Sequence, residues 1–534
     1  MNETATFPSP PSLNVAPSKR KDELELKLLA PIGTLESLHE SPVIARRARN
    51  GGVTRSLNAV YYDTPDCVLY RHGLSLRVRQ SETGYIQTLK RGPVIGRPFV
   101  REEWETPISG AEPELGLLPT SEIGPPLEGL TSGSLDPVFV TKVRRRAQRL
   151  EQLGSVVEIA FDEGSIEAGE HREALAEIEL EMKGGDPRVL YDLGIELLDI
   201  APLKISTQSK ADRGYGLAFQ MEPKAVKATV PAISVEHKVD DIIAVLLGDC
   251  QHQLIANQPL AEIGRDPEGV HQMRVALRRM RTACALLRRE LGLPSLQAFS
   301  DDAEWLAGLL GAARDWDVFT SETLSEVAQY LPPGIANFRA LREAATAHRA
   351  TAYTVLQESL ASKRYNRFLL SLRHWVESKA WRSELQTGSL PILLEPASVF
   401  AARVLTRLHG RALKRGQHFR QLTPPGRHQL RVSLKKLRYA VEFFHNLYAE
   451  NFMDKPFLGN LTKLQDALGR HNDASMTYPL LCGLAEESSS PELHRTVGAV
   501  VGWQARDHAE VERTLRKHWR QFKSTSVYWD KLAR

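Results

Sequence analysis

The sequence predicts an α+β protein in two parts, an antiparallel β sheet closed on itself followed by an all-α domain. Three observations carry this. Between residues 21 and 218 apolar and polar residues alternate with period two, the pattern of strands. From residue 234 onward the repeat lengthens to about 3.6 residues, the pattern of amphipathic helices. The strands of the first part also keep one face charged almost throughout, which an open sheet does not require.

Composition excludes several other classes. Of 534 residues 42% are hydrophobic and 25% charged, enough to bury cores and too balanced for a disordered or collagen-like chain. At roughly 150 residues per domain, the length asks for two to four domains. No run of about 18 apolar residues occurs, so no membrane-spanning helix is expected. Four cysteines, Cys67, Cys250, Cys284 and Cys482, are too few and too scattered for a disulfide framework or a zinc ribbon. Residues 1–20 are rich in Pro and Ser and lack the apolar stretch of a secretory leader. They are expected to form a disordered tail on a cytoplasmic protein. Residues 219–233, with two prolines and no periodicity, are expected to link the two parts. The net charge of +4, from 69 Lys and Arg against 65 Asp and Glu, hides local clusters that matter more than the total.

In a strand, residues i and i+2 share a face. The first strand, ELELK, therefore sets Glu23, Glu25 and Lys27 opposite Leu24 and Leu26. Further strands group Arg77 with Arg79, Thr88 with Lys90, Arg101 with Glu103 and Glu105, and Glu158 with Asp162. The last places Glu177, Glu179 and Glu181 opposite Ile178, Leu180 and Met182. A solvated face would give the same alternation in any single strand, but such faces mix charges with Ser, Thr, Asn and Gln. Closure into a barrel instead turns the charged faces inward and the apolar faces toward covering helices. A charged lumen needs a highly charged ligand to offset desolvation. Guanidinium and ammonium rows suit an oxygen-rich anion such as phosphate. Rows of Glu without thiol or imidazole suit a hard cation, Mg²⁺ or Mn²⁺. A polyphosphate chelating that cation meets both demands, and hydrolysis at phosphorus needs mainly positioning and charge neutralisation.

The ordered series Glu23–Lys27 (ELELK), YYDTPD, GLSLRVR, TLK, REEWE, EIAFDEGSIEAGE, EIELEMKGGD and SKADRGY resembles the CYTH domain, the triphosphate tunnel metalloenzyme family, over residues 21–218. The resemblance implies an eight-stranded antiparallel tunnel with covering helices. It implies that Glu23, Glu25, Glu177 and Glu179 hold metal, with Asp162 and Glu181 contributing. It further implies that Lys27, Arg77, Arg79, Lys90, Arg101, Arg145, Lys204, Lys210 and Arg213 grip the phosphates. Glu23, Glu25, Lys27, Arg77, Arg79 and Lys90 form the expected catalytic set. VFVTKVRRR offers three arginines, and Arg145 is selected because Phe139, Thr141 and Val143 share its parity. For Lys204 and Arg213, near a predicted helix, a plain surface role is the competing reading.

The helical part contains an internal repeat. VHQMRVALRRMRTA and RHQLRVSLKKLRYA align without a gap, pairing His271 with His428, Arg274 with Arg431, Arg278 with Lys435 and Arg281 with Arg438. The same offset pairs His252 with His409, and LLGAARDWD matches ALGRHND with one residue of slippage. Within each copy the four basic positions lie along one helix stripe, where like charges repel unless a partner neutralises them. Salt bridges to Asp315 or Asp473 would explain a single arginine; the repetition points to an extended anion. HxxRVxxRRxR, its copy and LGxxRDxDV resemble the CHAD family over about residues 234–528. The resemblance implies two four-helix repeats, about 234–330 and 395–528, that bind inorganic polyphosphate through His252, His271, Arg274, Arg278, Arg281, His409, His428, Arg431, Lys435 and Arg438.

The combined expectation is a metal-dependent inorganic triphosphatase that converts tripolyphosphate to pyrophosphate and phosphate and carries a domain for long-chain polyphosphate. Neither membrane nor nucleic acid is an expected partner. The other readings are a non-catalytic polyphosphate-binding protein of polyphosphate granules, or a hydrolase or cyclase acting on nucleoside or thiamine triphosphates.

Overall fold

The structure, a computed structural model, describes residues 20–81, 84–92, 97–131, 133–330, 337–448 and 454–529. The side chains of residues 454–455, 470–476 and 504–512 lie outside that description, as does the expected tail at residues 1–19. The main divide between two compact units falls between Glu222 and Pro223.

The first unit is built on strands β1 (Lys21–Leu29), β2 (Val53–Asp63), β3 (Leu74–Ser81), β4 (Gly84–Arg91), β5 (Val100–Ile108), β6 (Asp136–Gln152), β7 (Ser155–Ala168), β8 (His171–Gly184) and the short β9 (Lys204–Ser206). Their order is β5-β4-β3-β2-β6-β7-β8-β1, and β1 pairs back with β5, so eight antiparallel strands close into a barrel. Strand β1 completes the ring by dividing its partners. Lys21–Leu24 pair with β5, Glu25–Leu29 pair with β8, and β9 continues the β5 side against Lys27–Leu29.

Period two now has a physical meaning. Leu26, Leu28, Ile178 and Leu180 are fully buried on the outside of the ring. Helix α1 (Arg188–Leu198) packs on β1 and β8 there through a face that buries Leu190, Leu193 and Leu197. On another side Leu76, Val78, Leu89 and Trp104 pack against Leu118, Ile123 and Leu127 from the β5–β6 connection. With apolar faces covered, the charged faces are left to the lumen. Gly164 lets β6 and β7 approach closely: a Cβ there would lie 2.0 Å from the Lys142 carbonyl oxygen.

Helix α2 (Lys210–Phe219) follows β9. Ser209 caps it, its hydroxyl accepting from the Asp212 N–H while the Asp212 carboxylate accepts from the Ser209 N–H. Asp63, at the end of β2, accepts from the Leu69 and Tyr70 N–H groups at 2.9 Å and from the Tyr215 hydroxyl at 2.7 Å. The YYDTPD stretch thus fastens the helix to the barrel.

The second unit is helical. Its long helices are α3 (Val239–Ala256), α4 (Glu268–Leu291), α5 (Ser295–Val318), α6 (Phe338–Ala361), α7 (Lys363–Glu377), α8 (Ala397–Arg415), α9 (Pro424–Phe443), α10 (Asp454–Glu486) and α11 (Pro491–Ser524). In succession α3, α4, α5 and α6 pack as neighbours, and so do α8, α9, α10 and α11. The repeated HxxR stretches fall on α4 and α9, the second helix of each set. Among the described residues no helix is long and apolar enough to cross a membrane.

The segment expected as a linker has neither helix nor strand from Met221 to Ile233, yet it is fastened along this unit. Asn257 exchanges two hydrogen bonds with the Val226 backbone at 2.9 and 2.8 Å, and the Thr229 and Pro231 carbonyls accept from Arg279 and Asn446 at 3.0 Å.

Asp240, in the first turn of α3, accepts from Trp381 Nε1 at 2.8 Å, Lys379 Nζ at 2.7 Å and Arg382 Nε at 3.0 Å. Burial pushes its pKa up, but the bonds from Arg382, Lys379 and Trp381 outweigh it and hold the carboxyl well below the usual range. A lowered carboxyl pKa stabilises the fold above the unfolded value near ~4 and ceases to do so as pH falls toward the folded value. Asp240→Asn is expected to cost about 2 kcal/mol in urea unfolding at neutral pH. The gap between variant and parent should narrow in acid; a gap independent of pH would contradict this account.

Candidate active site

The lumen holds a cavity of about 490 Å³ lined by inward residues of β1–β8 and the first turn of α2. Two poles share it.

At the acidic pole Asp162 on β7 stands directly across from Glu177 on β8, and Glu179 lies one inward position further on. One carboxylate oxygen from each lies within 4.8 Å of the others. Asp162 and Glu177 are fully buried. Three cations answer them. Lys210 Nζ donates to Asp162 at 2.7 Å, to Glu179 at 2.8 Å and to Glu177. Lys27 Nζ donates to Glu177 at 2.9 Å and to Glu179. Arg145 grips Asp162 through Nε at 2.7 Å and Nη2 at 2.6 Å and also reaches Glu179. Burial opposes the Glu179 charge, but Lys210, Lys27 and Arg145 hold its pKa well below the ordinary carboxylate range. One atom is left over: Glu177 Oε2 accepts no hydrogen bond, and Arg213 Nη1 lies 3.6 Å away.

At the basic pole Lys90 Nζ lies 2.8 Å from Glu23 and 3.1 Å from Glu103. Arg77 is 3.9 Å from Glu103 and Arg79 is 3.5 Å from Glu105, both long for ion pairs. Arg77 Nε is buried and finds no acceptor among the described residues, and although burial opposes the Arg77 charge, Tyr61 and Glu103 raise its pKa. Burial and the neighbouring Arg77 charge push the Arg79 pKa below its ordinary value. Burial also pushes the Glu103 carboxyl up, to about 7, with Lys90 opposing and Glu23 adding. Burial acts on Glu23 in the same sense, but Lys90 outweighs it and holds that carboxyl at about 2. Burial opposes the Lys90 charge, but Glu23 and Glu103 raise its pKa, so Arg79 is the cation at this pole whose charge is least met, and a positive group of that kind suits an anion.

The expected site residues divide accordingly. Asp162, Glu177 and Glu179 converge, while Glu23, Glu25 and Glu181 line neighbouring rows of the cavity. Glu25 lies 3.5 Å from Lys27, and Glu181 pairs with Lys21 at 2.9 Å and with Lys183. Arg101 lines the cavity and donates to the Thr207 carbonyl. Arg145 turns inward, whereas Arg144 is exposed and Arg146 pairs with Glu36. Glu177, Lys204 and Arg213 are outside the lining: Glu177 is fully buried beside it, Lys204 sits on β9 opposite Leu29, and Arg213 donates to Glu173 at 2.7 and 2.9 Å. Glu103 and Glu105, which the sequence groups with Arg101 on a charged face without a site role, also line the cavity, and so do Lys21, Lys183, Tyr61 and Tyr70. Strand parity marks Glu103, Glu105, Lys21 and Lys183. Tyr70 carried no such signal, because it lies on a short helical turn, Val68–Arg71.

In the second unit, Arg274 Nη1 is buried without a hydrogen-bond partner and lies over Gly311, where a Cβ would come within 2.8 Å of it. Burial pushes the Arg274 pKa down, and Arg278 and Arg314 add to this against Asp315. Burial and Arg314 likewise lower His271. Arg281 pairs with Glu304 at 2.8 Å and Arg438 with Glu442 at 2.7 Å. On α9, His428 is exposed, and Arg431 and Lys435 are half-buried. Lys436, one position off the expected stripe, is lowered by burial and by Arg411, Arg281, Arg415 and Arg288 around it. His252 is half-buried, with its pKa lowered by burial and by Arg373. His409 packs edge-on against Phe457, Phe522 and Trp529 at 5.6–5.9 Å. The second copy's RHND, residues 470–473, lies outside the described side chains.

Comparison with known proteins agrees with these two assemblies. Residues 21–215 match the CYTH domain family and residues 245–482 the CHAD domain family. The chain carries a CYTH domain followed by a CHAD domain. Over 165 residues it is 35% identical to an inorganic triphosphatase of Haemophilus influenzae, a match covering 30% of this chain and 45% of that protein. It is 26% identical over 415 residues to an uncharacterised protein of Mycobacterium tuberculosis strain H37Rv, covering 72% of this chain and 75% of the relative. The crystal structure of the CHAD domain from the plant Ricinus communis is similar with a TM-score of 0.50 and 28% identity, covering 57% of this chain and 98% of that one.

Within the CYTH domain, Gly214 seats α2 against Phe139: a Cβ would fall 2.2 Å from the ring. Gly214→Ala is expected to lift the helix and lower the domain's stability by about 1–3 kcal/mol. The check is the thermal midpoint, and an unchanged value would show that the contact has slack.

Proposed function

We propose that the CYTH domain hydrolyses inorganic triphosphate to pyrophosphate and phosphate with the help of a divalent cation, and that the CHAD domain binds inorganic polyphosphate. The observation that carries this reading is the lumen cavity in which Asp162 and Glu179 on the wall, with Glu177 buried beside them, share the space with Arg77 and Arg79, which stand 3.9 and 3.5 Å from their own carboxylates. An anion with many oxygens that brings its own hard cation is the ligand such a cavity complements.

Arg77, Arg79 and Lys90 would hold the outer phosphoryl oxygens, Arg77 and Arg79 standing 3.9 and 3.5 Å from their own carboxylates. Asp162, Glu177 and Glu179 fit a hard cation, because the set is all oxygen and its members offer oxygens within 4.8 Å of one another. Glu23, Glu25 and Glu181 stand near enough along the wall to serve a second ion or its water shell. When bound, Mg²⁺ or Mn²⁺ would neutralise phosphoryl charge and acidify water. The chain's own residues align the phosphate against attack: a water oxygen bonds to the terminal phosphorus, the bridging P–O bond breaks, and pyrophosphate leaves with the electron pair while a proton passes to solvent. Positioning and charge, rather than covalent chemistry by the protein, supply the rate.

An inorganic substrate is favoured over a nucleotide by the aromatic wall. Tyr70 is stacked on Tyr215 with centroids 4.1 Å apart and Tyr61 on Phe139 at 4.3 Å, so each ring already has a stacking partner. The name of the Haemophilus relative points the same way.

Phosphate release from tripolyphosphate should require Mg²⁺ or Mn²⁺ and stop on chelation. Glu177→Gln or Glu179→Gln should lower kcat by about 100-fold or more. Arg77→Ala should act mainly by raising KM, about tenfold. Turnover of nucleoside triphosphates alone would replace the substrate, and no turnover of either would leave the non-catalytic reading. Long-chain polyphosphate should bind the intact chain more weakly as salt rises, and Arg274→Ala combined with Arg278→Ala should weaken it about tenfold at low salt. Binding insensitive to salt would remove the electrostatic account of the CHAD domain.

A further inference from the structure

We propose that Lys210 is a resident counter-cation of the acidic pole, standing in for a divalent ion until a polyanion arrives. The cation and the triphosphate would then enter the tunnel together, and the bare tunnel would hold the cation weakly. The inference deepens the reading above and rests on it for the identity of the anion.

Its ground is the convergence of one ammonium on one ligand set. Lys210 Nζ bonds to all three of Asp162, Glu177 and Glu179, the same three residues whose oxygens gather within 4.8 Å. An ion bridging these carboxylates and the ammonium contend for the same oxygens.

Charge decides who holds them. Asp162, Glu177, Glu179 and Glu25 are met by Lys27, Arg145, Lys210 and Arg213, four acids against four bases, so the cluster is formally neutral. A divalent ion added without a polyanion would leave two surplus positive charges in a poorly solvated site, which is costly. The surplus vanishes if the ammonium leaves the carboxylates for incoming phosphate.

Lys210 is the cation of this cluster whose departure frees Asp162, Glu177 and Glu179 at once. Arg145 is held by a two-bond fork on Asp162. Lys27 also lines the cavity, but it bonds to Glu177 and Glu179 alone of the three and lies 3.5 Å from Glu25, so its departure would leave Asp162 engaged. Lys210 begins α2 and lines the cavity, so rotation about its four-carbon stem carries Nζ from the carboxylates into the lumen without moving backbone.

The test is Mn²⁺ affinity of the full chain without any phosphate, read as free Mn²⁺ by electron paramagnetic resonance. Lys210→Met, which keeps the stem and removes the charge, should bind Mn²⁺ at least about tenfold more tightly than the parent. Lys142→Met, which removes an exposed charge paired with Glu167 outside the cavity lining, should leave the affinity within about threefold. Equal or weaker binding by Lys210→Met, or equal tightening by Lys142→Met, overturns the proposal. If Lys210→Met folds poorly, the thermal midpoint is followed with added Mn²⁺: a larger rise than in the parent supports the exchange, and an equal or smaller rise overturns it. Tightened Mn²⁺ binding by Lys210→Met with no tripolyphosphate hydrolysis by the parent would sink the substrate reading alone, and hydrolysis by the parent with unchanged Mn²⁺ affinity in Lys210→Met would sink the exchange alone.

Discussion

A closed ring of strands leaves its inward side chains only one another and whatever enters the lumen. That constraint governs the CYTH domain. Each charge placed on the inward face must be answered inside the same cavity, and the acidic pole answers its own with Lys27, Arg145 and Lys210. The basic pole does so only in part, since Lys90 pairs with Glu23 and Glu103 while Arg77 and Arg79 stand off their carboxylates. The imbalance between the two poles gives the cavity its preference for an anion that carries a cation with it.

The outer surface of the ring makes this arrangement affordable. Leu26, Leu28, Ile178 and Leu180 bury fully beneath α1, and Trp104 and its neighbours do so beneath the β5–β6 connection. Apolar burial on the outside stabilises the strands whose inner faces work against folding. Helix α2 then closes one side as a wedge, held by the Asp63 contact to Tyr215 and by the absence of a side chain at Gly214. Its first residue is the lysine that enters the acidic pole, so a packing detail outside the cavity sets the charge inside it.

The CHAD domain solves a different problem with the same residue types. Its stripes lie on helices, where neighbouring positive charges can be relieved by solvent, by nearby acids such as Glu304 and Glu442, or by a ligand. The two copies do not use equivalent positions alike. Arg279 is buried, bonded to Gln253 at 3.2 Å and lying 5.4 Å over the Phe443 ring, while its aligned partner Lys436 sits among four guanidinium groups. The repeat is evident as a pattern, but the environment of each copy follows from what packs beside it.

Much of the barrel was legible because strand parity is local. Once Glu177 faces inward, Glu179 and Glu181 must follow, and Arg145 is separated from Arg144 and Arg146 by the same rule. The change of period from two to about 3.6 likewise marked where sheet gives way to helix. Parity says which face a residue takes but not how far along the lumen it sits. Strand register alone brought Asp162 opposite Glu177 and left Glu23, Glu25 and Glu181 to adjoining rows. Nor could it place residues outside strands: Lys210 reaches the carboxylates, Tyr70 lines the wall, and Arg213 turns to Glu173 because α2 and the turn before β3 dock as they do. Side-chain direction is written in the chain residue by residue; which directed groups meet depends on register and docking, and those are settled by contacts between segments far apart in it.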